Sequence, residues 1–159
     1  KGFCHRDVKL ENVMISGDRT PKLGDFGLSK RLWAEERTYT LCGTPEYIAP
    51  DILTDGGYGR RVDFWSLGVL LYAMATGNFP FNGGDNDKDN LKTFGKIVKG
   101  YANVSVPLHG HLGRIVGRLL CPTPEKRMTA RDIKEDLYFM TPAGKDLMAG
   151  ESPFLFYER

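Results

Sequence analysis

Apolar and polar positions change in short bursts over the first quarter of the chain and in longer runs after it. Val13-Met14-Ile15 and Pro21-Lys22-Leu23 read as two extended pieces around a Ser16-Gly17-Asp18 turn, which predicts a β-hairpin. Residues 28–50 mix Arg, Glu, Thr and Gly without a period, the pattern of a long functional loop. A short helix is expected from Asp51 to Leu53, stopped by Asp55-Gly56-Gly57. From Arg61 to Thr76 nearly every face is apolar, which predicts a buried helix ending at Gly77. Asn82 to Asn90 reads as a polar, flexible loop. Helices are expected near Leu91–Lys99, Leu112–Leu120 and Thr129–Leu137, the last with Thr129 as N-cap. No internal repeat is visible, and the downstream two-thirds is mainly helical.

A chain of 159 residues fits one compact domain or one lobe of a larger protein. Hydrophobic residues at 41% and charged residues at 26% suit a globular fold and argue against a disordered tail or a fibre. With 22 Lys+Arg against 20 Asp+Glu, a net charge of +2 gives no reason to expect a nucleic-acid partner. Cys4, Cys42 and Cys121 form no C-x-x-C pair, so neither a disulfide framework nor a zinc ribbon is expected. The longest apolar run, Leu67 to Ala75, falls short of the roughly 20 residues of a membrane span. Lys1 to Arg6 leads straight into polar sequence, so no signal peptide is expected. These features point to an intracellular protein, cytoplasmic or nuclear. The absence of an initiator Met suggests a chain that begins in mid-protein.

The chemistry concentrates near the start. His5-Arg6-Asp7 is followed by Lys9 and Asn12, and Asp25-Phe26-Gly27 follows the hairpin. An aspartate in a turn is usually an Asx-turn or a cap. Taken together, however, these residues match one reaction. Phosphoryl transfer needs a carboxylate beside the attacking hydroxyl, a cation near the transferred group and oxygen ligands for Mg2+. Asp7, Lys9 and Asn12 are close enough for one loop to present all three. Asp25, from the far arm of the hairpin, can face Asn12 across one metal site, and Gly27 would let the backbone turn sharply after it. His109-Gly110-His111 has no third ligand nearby and reads as a polar loop.

Here the chain resembles the eukaryotic protein-kinase family. Residues 5–12 (HRDVKLEN) match its catalytic loop and Asp25-Phe26-Gly27 its metal-binding motif. Residues 43–51 (GTPEYIAPD) match the end of the activation segment. Residues 63–68 (DFWSLG) resemble the central buried helix and Pro124-Glu125-Lys126-Arg127 the late arginine motif. The resemblance implies an α+β, kinase-like fold, C-terminal lobe only, mainly helical with a small hairpin. The lobe would occupy residues 1–139, with a tail over 140–159. It implies transfer of the γ-phosphate of ATP, with Mg2+, to Ser/Thr hydroxyls of protein substrates.

By the same resemblance Asp7 is the catalytic base and Lys9 stabilises the transferring phosphate, while Asn12 and Asp25 hold the metal. Lys9, Glu11, Asn12, Met14 and Asp25 would line the nucleotide side, with Met14 beneath the adenine. Lys9 and Thr44 mark the serine/threonine type, and Thr44 would bond around Asp7 and Lys9. Glu11, Leu41, Thr44, Pro45 and Ile48 would shape the substrate site. Thr40 occupies the position phosphorylated in the group that includes the cyclic-nucleotide-dependent kinases, which implies an upstream activating kinase. Arg6 and Lys30 would be its phosphate partners. His5, Phe26, Asp51, Asp63 and Arg127 would be structural.

Four departures qualify the match. His5 stands where that group usually has Tyr, and Ala73 where a glutamate often recognises substrate arginine. Asp51 replaces the usual glutamate but is expected to reach Arg127. No G-x-G-x-x-G segment and no V-A-x-K lysine occur, so half of an ATP site would lie outside these residues. The 159 residues alone are expected to transfer no phosphate. A free-standing, inactive lobe acting as an interaction module is the alternative. Phe154-Leu155-Phe156-Tyr157 is expected to pack on the surface rather than dock as a regulatory tail.

Overall fold

The structure, a computed structural model, describes residues 2–84, 90–100 and 108–136. The rest of the Asn82–Asn90 loop, the tail boundary and the Phe154–Tyr157 segment lie outside them. Among the described residues, two small antiparallel sheets sit beside four α-helices. None of these helices is long and apolar enough to cross a membrane.

The predicted hairpin is present as β2 (Val13–Ile15) and β3 (Pro21–Leu23), with Val13 opposite Leu23 and Ile15 opposite Pro21. Its turn is closed by Ser16, whose hydroxyl donates to Thr20 O at 2.9 Å. The stretch 28–50 is more ordered than a long loop. Its residues Lys30–Arg31 form β4, paired with β1 (Phe3–Cys4), so that Phe3 faces Arg31. Pro45–Tyr47 forms a 3₁₀ turn. Two-residue strands have no readable alternation, and their pairing comes from partners 26 and 28 residues away in sequence. The short helix expected at Asp51 is a 3₁₀ turn, Pro50–Leu53, entered by a proline that needs no N–H partner.

Helix α1 (Val62–Thr76) runs through the core and ends at Gly77, whose φ of 71° is the left-handed C-cap that a glycine adopts freely. Val62, Trp65, Val69, Leu70 and Tyr72 are buried. Its last turn surfaces, leaving Met74 exposed. Gly68 sits where α1 meets α3 (Gly110–Leu119). A Cβ there would stand 2.8 Å from Leu119 Cβ, so the small residue sets the approach of the two helices. Ile115, Leu119 and Met128 close this second cluster against Phe64, Leu67 and Leu71. Helix α2 (Leu91–Val98) adds Ile97 to the main core.

Helix α3 starts two residues before the expected Leu112, which places His111 in its first turn and His109 at its N-cap rather than in a loop. Helix α4 (Ala130–Glu135) is capped as expected: the Thr129 hydroxyl accepts from the Asp132 N–H while Asp132 Oδ2 accepts from the Thr129 N–H.

Beneath α1 lies the pair expected from the sequence. Arg127 Nη2 and Nη1 donate to Asp51 Oδ1 and Oδ2 at 2.6 and 3.1 Å, so the shorter aspartate reaches. Its remaining N–H groups go to the carbonyls of Cys121, Arg61 and Pro122. The guanidinium also lies over the Trp65 ring at 5.3 Å.

Candidate active site

The site is built on a strained loop that α1 holds from below. Arg6 takes a φ of 69°, uncommon for a side chain of that size. The conformation is fixed by Asp63, in the first turn of α1. Its two carboxylate oxygens accept the backbone N–H groups of His5 and Arg6 at 2.7 and 2.9 Å. His5, buried, donates from Nε2 to Gly24 O at 2.9 Å and meets the Phe26 ring edge-on at 5.0 Å. One histidine thus joins the catalytic-type loop to the residues around Asp25.

Asp7, next in the loop, is 8% exposed, and four donors converge on its carboxylate. Thr44 gives its backbone N–H and its hydroxyl to Oδ1 at 3.0 and 2.8 Å. Lys9 Nζ lies 3.0 Å from Oδ2 and also donates to Thr44 Oγ1 at 2.8 Å. Asn12 Nδ2 donates to Oδ2 at 3.2 Å and to the Asp7 carbonyl at 2.8 Å. Burial by itself would raise the Asp7 pKa. The hydrogen bonds from Lys9 and Thr44 outweigh it and hold the carboxyl below the usual carboxylate range. The same bond pushes Lys9 above the usual lysine range. What this pair contributes is therefore fully present across neutral pH. It is lost only as acid reaches the depressed Asp7 pKa or alkali the raised Lys9 pKa.

Asn12 and Asp25, read as metal ligands, flank the two hairpin strands, Asn12 just before β2 and Asp25 two residues after β3; the Gly24 N–H donates to Asn12 O at 2.8 Å, one residue before Asp25. The Asn12 amide spends its N–H groups on Asp7, and no hydrogen bond among the described residues uses its oxygen. Asp25 is exposed, and among the described residues its Oδ1 accepts only the Gly27 N–H, at 3.2 Å. Asp25 itself is left-handed, with φ 52°, a region aspartate tolerates better than most side chains, and the expected turn follows at Gly27–Leu28, closed by the Ser29 N–H donating to Phe26 O at 2.9 Å. An amide oxygen and a carboxylate with unspent capacity fit a Mg2+ ion that keeps waters and phosphate oxygens as its other ligands. Among the described residues no group of three or more His, Cys, Asp or Glu could hold a metal without such help.

The remaining sequence-predicted residues fall in three places. Met14 is 58% exposed, with its Cε methyl lying over Gly24, and Phe26 is 61% exposed. Glu11 is exposed on the 3₁₀ turn Leu10–Asn12, where its charge helps raise both Lys9 and Tyr47. Near the substrate-side residues, Leu41 is exposed, Pro45 half-buried and Ile48 packed in the core. Thr40 is exposed, but neither cation assigned to it touches its hydroxyl. Arg6 donates to Leu28 O and to the Tyr58 hydroxyl, and Lys30 Nζ to Thr38 Oγ1 at 3.1 Å.

Sequence reasoning passed over Tyr58. It is 1% exposed, and its hydroxyl donates to Thr40 O at 2.6 Å. The signal that hid it is its setting in Gly56-Gly57-Tyr58-Gly59, which reads as a chain break.

Comparison with known proteins agrees with this geometry. A family model described as protein kinase domain matches residues 1–139. The serine/threonine-protein kinase SAPK6 of Oryza sativa subsp. japonica is 37% identical over 152 residues, covering 91% of this chain and 41% of that protein. Serine/threonine-protein kinase SRK2C of Arabidopsis thaliana is 39% identical, with 87% and 42% covered. The cGMP-dependent protein kinase 2 of Mus musculus is 42% identical over 106 residues, covering 67% of this chain and 13% of that protein. The chain thus spans about two-fifths of the length of the two plant kinases. With a carboxylate held by Lys9, Asn12 and Thr44 on an Asp63-braced loop, and a family match over residues 1–139, the chain belongs to the protein kinase domain family.

Proposed function

We propose that this chain supplies the catalytic loop and substrate platform of a serine/threonine protein kinase, which transfers the γ-phosphate of ATP to protein hydroxyls. The observation that carries the reading is the Asp7 carboxylate with its four donors. An ionised carboxylate has about four acceptor positions, so an incoming hydroxyl must displace one donor. Lys9 is the member able to leave. It sits on a flexible stem with its side chain 22% exposed, whereas Thr44 and Asn12 are tied to the backbone. Once Lys9 swings away, Asp7 can accept and orient a substrate hydroxyl, and the ammonium is free to face a transferring phosphate.

Asn12 and Asp25 would hold Mg2+, which when bound neutralises phosphate charge. Met14 and Phe26 offer an exposed apolar floor for a nucleotide base and for a second lobe. The residues present contain no G-x-G-x-x-G segment. Transfer is therefore expected from a protein in which another lobe supplies that phosphate-gripping loop. An intact Asp7, Lys9, Asn12 and Asp25 set has no use in a pure interaction module, and this favours the catalytic reading. The test is phosphate incorporation from MgATP into serine peptides by a protein carrying both lobes. Asp7→Asn should reduce it by about 10²–10⁴-fold, the span of a positioned base. Incorporation that survives the substitution would sink the proposal.

A further inference from the structure

The segment that carries Thr40 is tied down a residue at a time by one dipeptide, Gly57-Tyr58. Arg37 Nη1 donates to Gly57 O at 3.5 Å. Thr38 and Tyr58 exchange both backbone hydrogen bonds, each 2.9 Å, as an isolated antiparallel bridge. The Tyr39 ring lies against Gly57, where a Cβ would come within 2.6 Å of it; Gly57 has a φ of 68° as well, so a glycine is required twice over. The Tyr58 hydroxyl then donates to Thr40 O at 2.6 Å. That hydroxyl accepts from Arg6 Nη1 at 3.5 Å, and Cys42 Sγ lies 3.6 Å away. Arg6 directly precedes Asp7 in the braced loop.

We propose that Gly57-Tyr58 is a clasp that holds the Thr40 segment against Arg6 without a phosphate. Tyr58 acts through Arg6 and the Thr40 backbone, and so is a positioning residue. The functional consequence rests on the kinase reading above, although the contacts themselves do not. The clasp takes the carbonyl of Thr40 and leaves its side chain exposed. A phosphate added there would meet a backbone whose ordering entropy is already spent. Modification of Thr40 would then strengthen an ordered segment rather than create one. Burial, with the Cys42 contact, pushes the Tyr58 pKa up to about 12, so the hydroxyl remains a donor throughout the physiological range.

Limited trypsin cleavage of the purified protein at Arg37–Thr38 reads opening of the clasp, with the cut after Arg19 in the exposed hairpin turn as internal reference. Tyr58→Phe keeps the ring and the Thr38 bridge and deletes only the hydroxyl. It should speed the Arg37 cut about two- to tenfold, the worth of one hydrogen bond, and leave the Arg19 cut alone. Gly57→Ala, which drives Tyr39 away, should speed the same cut. Thr40→Ala retains the carbonyl and should change neither. The proposal is overturned if Tyr58→Phe leaves the Arg37 rate unchanged, if both cuts rise together, or if Thr40→Ala has the same effect as Tyr58→Phe.

In the phosphate-transfer assay, Tyr58→Phe should lower the activity of the Thr40-unmodified form more than that of the phosphorylated form. General loss of structure would lower both alike and count against the clasp. If neither wild-type form transfers phosphate, the kinase reading fails while the Arg37 cut still decides the clasp.

Discussion

Two ion pairs lie near the start of helix α1 and are built to opposite ends. Beneath the helix, Arg127 is closed in. Its side chain has 0% exposure, and its N–H groups go to the Asp51 carboxylate and three carbonyls. At the catalytic-type loop, Lys9 faces Asp7 with its side chain 22% exposed, and its ammonium is shared between that carboxylate and the Thr44 hydroxyl. The planar guanidinium fork locks two carboxylate oxygens at once, whereas an ammonium on four methylenes can rotate away without disturbing its neighbours. The difference teaches how one lobe separates its tasks. The Arg127 pair is saturated and dry, and the Lys9 pair has one partly exposed member, as the proposed exchange with a substrate hydroxyl would require.

The closed pair gives the largest expected effect. Arg127→Ala leaves Asp51 as a buried, unpaired carboxylate and strips the side-chain donors from three surrounding carbonyls. It should cost about 3–5 kcal/mol by denaturant titration. An unchanged melting temperature would mean that the pair does not hold the lower core. A finer variant is Asp51→Glu. It restores the residue usual at this position in the family, yet adds a methylene to a fork already closed at 2.6 and 3.1 Å. Overpacking predicts a loss of about 1–3 kcal/mol. A gain in stability would show instead that the aspartate is stretched to reach its partner.

Both sides of the comparison were legible in the sequence, while much between them was not. The Asp51–Arg127 pair, the hairpin, α1 with its Gly77 stop and the Thr129 cap could all be read, because each rests on a local pattern or a recognised motif. Asp7, Lys9, Asn12 and Thr44 were likewise nameable, and the structure brings all four together. What escaped the reading depends on distant partners. β4 is two residues long and exists through β1. The Pro45–Tyr47 turn is held from α1, whose Ser66 hydroxyl donates to Tyr47 O. The turn at Gly27 was read, but the left-handed φ of Asp25 before it was not, since a carboxylate in that region leaves no trace in the sequence. Tyr58 lay hidden between glycines, although a large aromatic isolated among breakers has to bury itself somewhere.

The open pair yields the smallest change in stability and the sharpest test of the contrast. Lys9→Met keeps the apolar stem and removes the ammonium, leaving Asp7 with Thr44 and Asn12 as donors. A partly exposed pair of this kind is worth about 0–1 kcal/mol, so melting should scarcely move. The Asp7 carboxyl should respond far more, because the hydrogen bond from Lys9 is the strongest influence holding it down. Without it, burial regains weight and the pKa climbs toward or above the ordinary carboxylate value. A depressed carboxyl stabilises the fold above its unfolded pKa and loses that contribution as pH falls through the folded one. In the variant, the acid limb of stability should therefore begin at higher pH than in wild type. Carboxyl-resolved NMR titration of both proteins decides the matter. An Asp7 titration that does not move would mean that Thr44 and Asn12 hold the carboxylate alone, and the two pairs would then differ only in where they lie.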